Sequence, residues 1–142
     1  MTVSQQLFTL RQANALIPQL EIAMGKLLHH RATLAGAIGE LAGTTGVEPD
    51  KFTVPQILEL RPELRALMDE VQRLIEQVEL LGGQLKGLDL GLVDFPAELN
   101  GEVVLLCWQF GEKEITHYHS LDGGFAGRKP LNLGYTKPQY LN

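Results

Sequence analysis

The stretch Glu102-Val103-Val104-Leu105-Leu106-Cys107-Trp108-Gln109-Phe110 decides the fold. In an extended strand successive side chains point to opposite faces, so Val103, Leu105 and Cys107 share one face and Val104, Leu106, Trp108 and Phe110 the other. Both faces are apolar. Such a strand needs a neighbour on each edge and cover on each face, which places it in the middle of a sheet. Upstream, Asn100-Gly101 is a two-residue turn signal. Before it, Leu88, Leu90 and Leu92 alternate with Asp89, Gly91 and Val93 until Pro96 closes the run, and residues 88–96 read as a strand. Downstream, Gly111-Glu112-Lys113 forms a loop into a third strand over 114–119. The expectation is a three-stranded antiparallel meander over 88–119, then a Gly-rich loop and extended tail over 120–142.

Cover for one face comes from the first half of the chain. Thr9-Leu10-Arg11-Gln12 has the form of a capping box, with Phe8 placed to staple the helix entry. The first helix is expected over 9–42. Pro18 lies too deep for its first turn, and should kink the helix or divide it into two near that position. Leu20, Met24, Leu27, Leu34, Ile38 and Leu41 form its apolar stripe. After a Gly/Thr/Pro-rich connection over 43–52, a second helix is expected over 55–85, kinked near Pro62. Its Leu60, Leu64, Leu67, Val71, Leu74, Val78, Leu81 and Leu85 keep coiled-coil spacing, which predicts a seam packed antiparallel on the first helix or, as the alternative, on a partner's helix. The fold class is α+β, a proline-kinked two-helix hairpin on a small antiparallel sheet, in a single domain over 1–142. The second face of the central strand needs the tail, the N-terminal segment or another subunit, which motivates a homodimer.

Composition bounds the function. The chain has 142 residues, 44% of them hydrophobic, and a net charge of -5. The excess acid lies in the helical half, and no basic stripe is present to meet DNA or an anionic membrane. No window approaches the apolar length of a membrane span. A single cysteine, Cys107, excludes an internal disulfide and fits a reducing, cytoplasmic location.

Chemistry concentrates near the end of the expected sheet. His117 and His119, two apart on a strand, share a face, and Asp122 follows, so these three are a candidate divalent-metal set if Cys107 or Asp94 completes it. A solvated or hydrogen-bonded histidine pair is the more ordinary reading of that spacing. The stretch from Asp122 to Pro130 combines three glycines with Phe125, Arg128 and Lys129. It has the makings of a backbone nest for a small anion with Arg128 as a fork, although neither a Walker nor a dinucleotide motif is present. The plainer reading docks Phe125 and pairs Arg128 with a carboxylate such as Asp94 or Asp122. His29 and His30 lie in mid-helix, Cys107 reads as buried packing, and Ser4 and Ser120 lack a nucleophile elbow.

Residues 8–18, FTLRQANALIP, and 85–96, LKGLDLGLVDFP, resemble the bacterial domain-of-unknown-function family 2203, as do Leu106-Cys107-Trp108, Tyr118-His119 and residues 121–130, LDGGFAGRKP. The resemblance brings no activity. It implies that Asp94, Trp108, His119, Asp122, Phe125 and Arg128 are the positions to examine, and that His117 departs from the family pattern. The leading expectation is a binding or protein-interaction domain, with a pocket for a small anionic ligand at the sheet and Gly-rich loop. No cofactor is predicted in that case. The alternatives are a metal-dependent or acid/base enzyme using His119 and Asp122 with Arg128 on an anionic group, and a coiled-coil adaptor.

Overall fold

A computed structural model describes residues 6–131. Thr9 caps helix α1 (Leu10–Ala15) through the reciprocal bonds of a capping box with Gln12. Pro18 divides rather than kinks: α2 (Ile17–Thr45) starts afresh with the proline in its first turn, where the missing N–H costs nothing, and ends at Gly46 in a left-handed conformation. A second capping box, Thr53 with Gln56, starts α3 (Val54–Leu60), and α4 (Leu64–Leu80) follows Pro62. The expected two-helix hairpin is therefore four helices, cut at both prolines, because a proline inside a continuous helix has no N–H for the i−4 bond and its ring clashes with the carbonyl four positions back.

The sheet has five strands, not three: β1 (Gln84–Gly87), β2 (Leu92–Leu99), β3 (Glu102–Gln109), β4 (His117–His119) and β5 (Lys129–Pro130), all antiparallel in sequential order. β3 is central, and Asn100 and Gly101, both at positive φ, make the β2–β3 turn. Residues 88–91 are a turn rather than strand. Gly91 sits at φ 66°, and a Cβ there would lie 2.7 Å from the Phe110 Cβ. The chain from Gln84, expected to extend the helix, is β1 instead, because Gly82 at φ 100° ends α4 against the Phe8 ring. The coiled-coil spacing thus overshoots the helix at both ends, with Leu60 in α3 and Leu85 in β1.

One face of the sheet, with Val93, Phe95, Ala97, Leu99, Val104, Leu106 and Trp108, packs on Leu20, Met24, Leu27, Leu74 and Val78 of the helices. The distal half of the helical pair has its own apolar cluster, built around Ala37, Leu41, Ile57 and Leu64. On the opposite face of β3, Leu105 and Cys107 are covered within one chain, at 2% and 1% exposed, whereas Val103 near the turn is 40% exposed. That face carries the polar residues of interest. No helix among the described residues is long and apolar enough to cross a membrane. Leu131, the first residue of the expected tail, is buried in the core, while residues 132–142 and Ser4 lie outside the described residues.

Candidate functional site

Strand register assembles the site. The tight turn at Asn100-Gly101 pairs Asp94 of β2 with Cys107 of β3, and β4 places His119 opposite Leu105, one step along the same face. His119 Nε2 lies 2.8 Å from Asp94 Oδ2, and the two residues are 3% and 1% exposed. The other ring nitrogen, Nδ1, lies 2.7 Å from the Ser120 carbonyl oxygen. A carbonyl only accepts, so Nδ1 carries a hydrogen. Nε2 and Oδ2 then share one further proton, as imidazolium with carboxylate or imidazole with carboxylic acid, and the pair is neutral in either form. Burial pushes the Asp94 carboxyl above its ordinary range, against the opposing pull of the His119 charge and hydrogen bond and, more weakly, of the Cys107 thiol as a hydrogen-bond donor and of Lys86. Burial, reinforced by the Asp94 charge, pushes the Cys107 thiol up to about 12. Donor atoms of Asp94, Cys107 and His119 all lie within 4.8 Å of one another. Among the described residues, Asp94 Oδ1 is buried without a hydrogen-bond partner.

Above this floor is a cleft of about 290 Å³ lined by Lys86, Leu92, Asp94, Cys107, His119, Leu121, Asp122, Gly124 and Phe125. Lys86 reaches it from a bulge in β1, where the register shifts between Leu85 and Gly87. The Gly-rich loop forms the roof. Gly124 needs its positive φ, and a Cβ on Gly123 would lie 2.7 Å from Ser120 Oγ. Glu112 pins the loop: its carboxylate accepts from Arg128 Nη2 at 3.2 and 3.1 Å and from the Gln109 N–H at 2.7 Å. Its carbonyl accepts from the Trp108 indole at 2.9 Å. The Arg128 guanidinium also lies 5.1 Å from the Phe125 ring centre.

The profile of an uncharacterized conserved protein family, DUF2203, matches residues 6–131. The chain belongs to DUF2203. No curated protein and no solved structure matches it. The family description names no activity, so the chemistry of this DUF2203 member has to be read from its own side chains.

Of the positions singled out from sequence, Asp94, His119, Asp122 and Phe125 line the cleft of this DUF2203 chain. Trp108 belongs to the helix-facing core, and Arg128 engages Glu112 rather than Asp94 or Asp122. The metal set expected from sequence, His117, His119 and Asp122, is not the set brought together. His117 Nδ1 is engaged by the Thr116 hydroxyl at 2.8 Å, and the exposed Asp122 accepts from Ser120 Oγ at 3.2 Å. Asp94 and Cys107 take their places beside His119. Cys107 was legible only through register, because both faces of its strand are apolar; Lys86 and Glu112 gave no signal beyond surface charge. His29 and His30 sit on α2, their rings 5.8 Å apart and away from the cleft.

Proposed function

We propose that this DUF2203 chain is a binding domain whose cleft receives a cationic or hydrogen-bond-donating centre against the Asp94–His119 pair. The observation that carries the reading is Asp94 Oδ1, a buried acceptor of a cleft-lining residue with no hydrogen-bond partner among the described residues. Leaving such an atom unsatisfied costs about 1–3 kcal/mol, and a ligand that supplies the missing donor recovers that energy on binding. The expected anionic ligand fits less well, because it would meet an acceptor at the floor while Arg128 is held by Glu112. The His119 ring has both nitrogens engaged, so acid/base work there would first require a partner to leave. A single free cysteine accords with a cytoplasmic setting for this site.

The test follows the His119 ring nitrogens and the Gly123, Gly124 and Phe125 amides by NMR, with methylguanidine, methylammonium and Zn²⁺ as probes. At least one probe should shift these signals in the wild type and not in Asp94→Asn. Absence of any shift, or equal shifts in the variant, would refute the reading.

A further inference from the structure

Resting on that reading, the geometry points to a divalent transition-metal site made by Asp94, Cys107 and His119. Three observations converge on these residues. Their nitrogen, oxygen and sulfur donors lie within 4.8 Å of one another, on three hydrogen-bonded strands that fix their spacing. His119 Nδ1 donates to the Ser120 carbonyl, the outer-shell bond that fixes a metal-binding imidazole in the tautomer with Nε2 available. Asp94 lines the same cleft, and its Oδ1, buried and without a hydrogen-bond partner among the described residues, supplies a second carboxylate oxygen.

Charge and donor type select the ion. Carboxylate, thiolate and neutral imidazole sum to two negative charges, so a divalent ion leaves the buried site neutral. Mixed N, O and S donors suit Zn²⁺ or Co²⁺, whereas Mg²⁺ and Ca²⁺ favour oxygen alone. Metal–ligand bonds of about 2.0–2.3 Å put tetrahedral ligands roughly 3.3–3.8 Å apart. The Asp94–His119 contact of 2.8 Å therefore opens by at least about 0.5 Å while Cys107 draws in. Binding balances as an exchange: one M²⁺ enters, and two protons leave to solvent, the one shared by Asp94 and His119 and the one on Cys107 sulfur. The Nδ1 hydrogen stays. With three protein ligands, the fourth position faces the cleft under Leu121 and Phe125, the arrangement of sites that bind an exogenous ligand rather than of closed structural ones.

The test uses the full chain, produced without a histidine tag, stripped with chelator and titrated with Co²⁺ and then Zn²⁺. One Co²⁺ per chain should bind, with a sulfur-to-cobalt charge-transfer band and visible tetrahedral bands that Zn²⁺ abolishes. Calorimetry in two buffers of different ionisation enthalpy should show about two protons released per ion. Cys107→Ser should lose the charge-transfer band, and it, Asp94→Asn and His119→Gln should each weaken Zn²⁺ binding by more than about 100-fold, beyond the loss typical of an outer-shell partner. Circular dichroism confirms that each variant is folded. His117→Gln should bind as the wild type. No stoichiometric Co²⁺, a band that persists in Cys107→Ser, or loss of binding in His117→Gln overturns the assignment. If methylguanidine still shifts the His119 signals while neither ion binds, the metal site falls and the cleft reading stands; if nothing binds, both fall.

Discussion

Replacing Glu112 by Ala should loosen the roof of the cleft more than it loosens the core. The side chain is 26% exposed and holds Arg128, itself 14% exposed, together with the Gln109 N–H. A hydrogen bond to a charged group contributes about 1.5–3 kcal/mol, and partial solvent access returns some of that when the bond is lost. Two such interactions, discounted for exposure, put the cost of Glu112→Ala at about 2–3 kcal/mol, a large share of the ~5–15 kcal/mol that holds a domain together. Glu112→Gln keeps an acceptor for Gln109 and loses only the charge opposite Arg128, so about 1 kcal/mol is expected. Urea unfolding gives the global numbers. Amide exchange gives the local one, since the Arg128 and Leu131 N–H groups bond to Phe125 and Thr116 within this region and should lose protection beyond the global change. Equal costs for the Ala and Gln variants, or a cost below ~0.5 kcal/mol for Ala, would show the network to be an ordinary surface ion pair and refute the reasoning.

Three other substitutions or conditions test the structure independently. Asn14 Oδ1 accepts from the N–H of fully buried Ile115 at 2.8 Å, tying α1 to the segment before β4, so Asn14→Ala should cost about 1–3 kcal/mol in urea unfolding; a neutral result would mean the N–H finds another partner. Because the folded state raises the Asp94 carboxyl, the metal-free fold binds a proton that the unfolded chain has already released. That contribution is present in full below the ordinary carboxylate pKa and is lost as pH rises through the raised folded value. Glu63 and Glu70, lowered by Arg61 and Arg73, act in the opposite sense, so the quantity to measure is the stability of the wild type minus that of Asp94→Asn. A difference that grows with pH over this window would contradict the buried protonated pair. Cys107, 1% exposed and with its thiol pushed up to about 12, should resist iodoacetamide at neutral pH in the folded metal-free chain and react fully in urea; labelling of the folded chain at the rate of a free thiol would place it outside the core.

What could be read from the sequence follows the range of the forces involved. The Thr9 and Gln12 cap, the Asn100-Gly101 turn and the centrality of residues 102–109 rest on contacts a few residues apart, and the structure has all three. β1 and β5 were invisible because four and two residues carry no periodicity, and their partners, not their composition, make them strands. The alternating leucines at 88, 90 and 92 misled for the converse reason, since a period of two is also what a glycine-bracketed turn produces by chance. Half of the site was within reach. Counting outward from the Asn100-Gly101 turn pairs position 94 with position 107, and Asp94 is a carboxylate between apolar Val93 and Phe95 in a strand covered on both faces. A buried acid in that setting demands a partner on the neighbouring strands. Naming His119 rather than His117 was not within reach, because β4 is three residues long and follows a longer connection whose course is set partly by Asn14, 101 positions away. The two histidines differ by one step of register, and that step decides which imidazole shares a proton with Asp94 and which is left with a threonine hydroxyl.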